Sequence, residues 1–117
     1  MLIDLNDKKT DYLPHENEFE ARCANLSDVE YRQVEASVNE FCDTHRAVSR
    51  ANLNGDDWAS EPWAAVRRAC RGDVEEAEMF LGQILWQCLR MRSEEWRFDR
   101  PPSTDGEIRG MIYWRRE

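Results

Sequence analysis

Long apolar runs are missing from this chain. No stretch approaches the roughly 20 apolar residues that a membrane-spanning helix needs. The opening segment, MLIDLNDKKTDYLPHENEFE, is polar and acidic where a secretory signal would carry an apolar core. A soluble, cytoplasmic protein is the expectation, with its cysteines as reduced thiols packed like small hydrophobes. Closely spaced cysteine pairs are missing too. Cys23, Cys42, Cys70 and Cys88 lie 19, 28 and 18 positions apart, whereas structural zinc sites draw on pairs separated by roughly two to four residues. Glycine is scarce, at five residues, and none belongs to a phosphate-cradling loop. There is no nucleophile elbow, no zinc-protease helix, no internal repeat and no low-complexity tract. Neither a cofactor nor an enzyme activity is expected.

Lysine is nearly absent, since 14 of the 16 cations are arginine. Acids outnumber them at 24, for a formal charge of −8. The imbalance is local: residues 1–60 hold 13 acids against 6 cations, and residues 61–117 hold 11 against 10. An acidic first half excludes direct nucleic-acid binding, which needs excess cation, and suits a basic partner. Leu, Ile, Val and Phe make up 22 of the 117 residues, close to the border of the disordered class. Five Trp, four Met and three Tyr bring the chain back, because aromatics bury much area per residue. The length suits one domain, residues 1–117, with an irregular arm over 1–25 and a helical body over 26–117.

Periodicity predicts an all-α fold, a compact bundle of three to four helices. Ser27 and Glu30 form a capping box, with Leu26 and Tyr31 placed as a hydrophobic staple. Beyond it, Tyr31, Val34, Val38, Phe41, Cys42, His45 and Val48 share one face of a helix running from 28 to about 50. Ser60 and Pro62 open a second helix over 60–71. Asp73 caps a third over 73–95, apolar on more than one side and therefore central. Near the C-terminus, Pro101-Pro102 reads as an extended connector. Thr104 with Glu107 then opens a helix over 104–116, with a strand through Met111–Trp114 as the competing reading. Arg71-Gly72-Asp73 matches the adhesion tripeptide. In context it reads as last-turn cation, stop glycine and next N-cap.

Cys42 and His45 are one helical turn apart. They are the weak candidates for a metal site or a cysteine nucleophile, against simple burial on the apolar stripe. The leading expectation is stoichiometric protein binding, as an inhibitor or adaptor that lays an acidic surface over a basic, nucleic-acid-binding site. Phage-encoded inhibitors of bacterial defence systems and immunity proteins against nuclease toxins are proteins of this general type. Contacting residues would include Asp28, Glu35, Glu40 and Asp43. A second group, Met79, Trp86, Arg90, Trp114 and Arg115, offers residue types common at binding hot spots. Met79 and Trp86 serve equally as core, and burial is the favoured reading. The same group supports a self-associating structural subunit, a homodimer, as the alternative.

Overall fold

A computed structural model describes residues 1–99 and 107–116. Its element order is β1 (Leu2–Ile3), α1 (Glu16–Cys23), α2 (Asp28–Thr44), β2 (Ala47–Ser49), α3 (Arg50–Asn54), α4 (Trp63–Ala69), α5 (Val74–Met91), β3 (Trp96–Arg97), a 3-10 turn (Glu107–Gly110) and β4 (Ile112–Arg115). The expectation of an all-α bundle is therefore overturned. The helices share the molecule with a four-stranded mixed sheet ordered β1-β3-β4-β2, in which β1 runs parallel to β3 and the other pairings are antiparallel.

Two of the expected helices are corrected by that sheet. The first ends at Thr44 because side chains there take over its last carbonyls. Thr44 Oγ1 donates to the carbonyl of Phe41 at 3.2 Å, and His45 Nδ1 lies 2.9 Å from the same oxygen. His45 itself is extended, at φ −126° and ψ 141°. The chain then enters β2, where Val48 registers against Tyr113. The C-terminal helix is replaced by the 3-10 turn and β4, so the strand reading of Met111–Trp114 is the one observed. The Pro101-Pro102 connector and the Thr104 cap lie outside the described residues. In the arm, α1 matches a short helix expected near Asn17 to Cys23, while β1 was not expected.

Capping signals were obeyed at Ser27 and Asp73 but not at Ser60: α4 begins at Trp63 with Pro62 as its N-cap and no side-chain cap. Ser27 Oγ accepts from the N–H of Glu30 at 3.1 Å, and the Glu30 carboxylate accepts from the N–H of Ser27 at 3.0 Å. Asp73 caps α5 by accepting from the N–H of Glu76 at 3.1 Å. The joint before it bonds as a helix C-cap motif should. Gly72 N–H donates to the carbonyl of Arg67 and Arg71 N–H to that of Arg68. Both Arg71 (φ 57°) and Gly72 (φ 85°) are left-handed. The adhesion-like tripeptide is thus the hinge between two helices.

α5 is the centre of the molecule, touching α1 through α4, the 3-10 turn and β1. Ten of its residues are buried, including Phe80, Leu81, Ile84, Leu85, Trp86 and Leu89. One face of the sheet packs toward it, with Leu2, Val48, Trp96 and Tyr113 all fully buried. Gly82 lets the 3-10 turn approach closely: a Cβ there would sit 3.1 Å from the carbonyl oxygen of Ile108.

α5 also holds the N-terminal segment through polar groups. Gln83, 1% exposed, donates from Nε2 to the carbonyls of Pro14 and His15, each at 2.9 Å, while Oε1 accepts from Arg22 at 3.1 Å. Trp86 Nε1 donates to the carbonyl of Tyr12 at 2.8 Å. At the far end Arg92 ties α5 to α2 through Asp43 and Asn39.

Both edges of the sheet are covered. On β2 the side chain of Asn52 acts as a surrogate strand, accepting from the N–H of Ser49 at 2.7 Å and donating to the carbonyl of Ala47 at 3.4 Å. On β1 the chain doubles back. Thr10 N–H donates to the carbonyl of Leu2 at 2.8 Å, and Ile3 bridges to Lys9.

Candidate functional site

The two metal or nucleophile candidates are separated by the end of α2. Cys42 is fully buried. His45 is exposed, stacked on Phe41 with ring centroids 3.8 Å apart and planes 6° apart. Its burial on the apolar stripe was expected and is not observed, because the chain turns out of the helix one residue earlier. Among the described residues, no group of three or more His, Cys, Asp or Glu side chains could hold a metal ion.

Burial sets the character of the thiols. It pushes Cys42 up to about 12 and Cys23 and Cys70 up to about 11, and it raises Cys88 as well. A thiol held protonated in the fold but ionising near its ordinary value of 9 when unfolded stabilises the fold only at lower pH. Stability should therefore be intact below pH 9 and should fall as pH rises toward 11–12. Thermal melts across that window check it. Under native conditions a chromogenic disulfide should modify half-buried Cys23 first, and Cys42 and Cys88 only on unfolding. Rapid native reaction of all four thiols would contradict the burial.

The hot-spot candidates divide in the same way. Trp86 is fully buried and Met79 half-buried, so α5 does not present them as an exposed patch. Arg90 is half-buried, its guanidinium donating to Gln87 Oε1 at 2.8 Å. Arg115 lies over the Trp96 ring, 5.9 Å from its centroid. Trp114 remains outside, 38% exposed on the outer face of the sheet, beside Ile112 at 59% and registered against exposed Ala47. Ile112 was missed because a uniformly apolar run shows no alternation.

Of the four acids, Asp28 and Glu40 are exposed and Glu35 is half-buried. Asp43 is taken by Arg92. Arg92 also pairs with Glu94. Burial would raise the Glu94 carboxyl, but the hydrogen bond from Arg92 and that from Trp96 outweigh it and hold the group down at about 2. Together α1 and α2 carry eight carboxylates against two arginines. Among the described residues, ion pairs engage only Glu30 and Asp43 of those eight. The helices are adjacent, joined by the Phe19–Tyr31 ring contact at 6.4 Å.

The chain matches no family model, no curated protein and no solved structure.

A further feature was not singled out from the sequence. A surface cleft of about 470 Å³ is lined by Trp58, Ala59, Ala64, Arg67, Arg68 and Arg71. The spacing of Arg67 and Arg71, one helical turn apart, was the available signal. Among the described residues, no helix is long and apolar enough to cross a membrane.

Proposed function

We propose that the protein acts by stoichiometric binding, as an inhibitor or adaptor whose α1–α2 side covers a basic surface on a larger protein partner. The observation that carries this reading is the run of carboxylates on α1 and α2 that have no ion pair among the described residues: Glu16, Glu18, Glu20, Asp28, Glu35 and Glu40. Elsewhere the fold uses acids internally, as with Glu78 on Arg50 and Glu95 on Arg97. Unpaired like charges on neighbouring helices repel, and a cationic partner relieves that repulsion while steering association. A nucleic-acid-binding groove is a basic surface of suitable kind.

The test is a charge-reversed variant, Glu18→Lys with Glu35→Lys and Glu40→Lys. Asp43 is left alone because reversing it would also break its pair with Arg92. Partner capture from lysate should drop at least tenfold in the variant and lose its salt dependence, with the melting temperature nearly unchanged. Unchanged, salt-dependent capture would sink the reading. A second reading, self-association, is favoured by the exposed Ile112 and Trp114 on the outer sheet face. Light scattering on the same two samples separates the two: dimers that persist in the variant point to the sheet, and a monomer removes that alternative.

A further inference from the structure

We infer that the cleft between the α3–α4 connection and the α4–α5 hinge binds a phosphate group carried on a small organic molecule. Its lining supplies donors. Arg67 is anchored by its Nε, which donates to the carbonyl of Gly72 at 3.0 Å, leaving its terminal nitrogens to point elsewhere. Arg68 is fixed by Glu61 at 2.7 Å and Glu30 at 3.2 Å. No carboxylate pairs with Arg67 or Arg71 among the described residues, in a chain where acids outnumber cations 24 to 16. A guanidinium that is held in place and has no carboxylate partner among the described residues, as that of Arg67 is, suits a tetrahedral oxyanion.

Two further observations converge on the same wall. Trp58 is 6% exposed, and its buried indole N–H has no acceptor among the described residues. Arg71 occupies a left-handed conformation, φ 57°, at the position of a helix-ending motif where glycine is the least strained residue. Strain retained at a side chain is a pointer to its use. The volume, about 470 Å³, exceeds what orthophosphate fills and falls in the range of small-molecule sites. The net charge of the chain opposes anions only weakly here. Over distances beyond about 8 Å it is screened at physiological salt; of the carboxylates close by, Glu61 and Glu30 are held by Arg68, and Asp57 accepts from the N–H groups of Ala59 and Ser60.

This inference is independent of the partner surface on α1 and α2, so either can fail alone. The experiment is a titration of ¹⁵N-labelled protein with inorganic phosphate and with adenosine monophosphate, against sodium chloride at matched ionic strength. Saturable shifts are expected at the Arg71 and Gly72 amides and at the Trp58 indole N–H, at least tenfold tighter for the nucleotide than for phosphate. The double variant Arg67→Ala, Arg71→Gly should weaken binding at least tenfold. Its melting temperature should hold or rise, because glycine suits the left-handed backbone and both arginines are exposed. Equal affinity for the two ligands would assign the site to free phosphate and overturn the organic part of the inference. Shifts reproduced by chloride, or binding unchanged in the double variant, would overturn all of it.

Discussion

Replacing Trp86 with alanine is expected to destabilise the fold by about 3–5 kcal/mol, the range for deleting a fully buried large aromatic. The side chain has no exposure and sits among the rings of Tyr12, Phe98 and Tyr113, with centroids at 5.7, 5.0 and 6.2 Å. Removing it opens a cavity between α5 and the sheet. It also leaves the carbonyl of Tyr12 without its 2.8 Å donor. A domain of this size has a total stability of roughly 5–15 kcal/mol, so the loss is a large share of the whole. Urea denaturation measures it as a drop in midpoint. Trp114→Ala, on the outer face, should cost within about 1 kcal/mol by comparison. Equal costs for the two tryptophans would contradict the assignment of inner and outer sheet faces.

Gln83→Met is the second large effect, and it isolates polarity from volume, since the two side chains are of similar size. Methionine can pack in the same space but cannot donate to Pro14 and His15 or accept from Arg22. Buried groups left without partners cost about 1–3 kcal/mol each, so a loss of roughly 2–4 kcal/mol is expected after relaxation. The loss should be directional. Hydrogen exchange should quicken across residues 10–23, the segment those bonds secure, and change little in α4. Uniform quickening would mean that Gln83 supports the whole core rather than this attachment.

The helical part of the fold was legible because its signals are local. Ser27 with Glu30, Asp73, and the apolar face of α5 each announce themselves within a few residues, and each does in the structure what the spacing predicted. The sheet was not legible. β1 and β3 are two residues long, too short to display a period. β2 was disguised, since Val48 continues the helical stripe of α2 by coincidence of spacing. From Met111 into β4 burial alternates, with Met111 and Tyr113 inside and Ile112 and Trp114 outside. All four are apolar, so that alternation leaves no mark in the sequence. The candidate surfaces divide along similar lines. The acids of α2 could be named from composition and spacing, whereas Glu16, Glu18 and Glu20 of α1 were not. The arginine cleft required the hinge geometry at Arg71 and Gly72, which brings α4's last turn beside Trp58. Asp43 illustrates the converse problem: sequence alone gave no sign that Arg92, 49 positions away, would claim it.

The sealing of both sheet margins has a consequence for how this molecule can accumulate in a cell. An open margin is a template on which a further strand, and then another, can be laid without limit. Here one amide side chain, Asn52, and one returning segment, Lys9–Thr10, occupy the two places where such growth would start. Growth by adding strands at either margin is thereby denied its starting points. For the stoichiometric binding proposed above that would matter, because copies lost to a growing polymer would be lost to the partner.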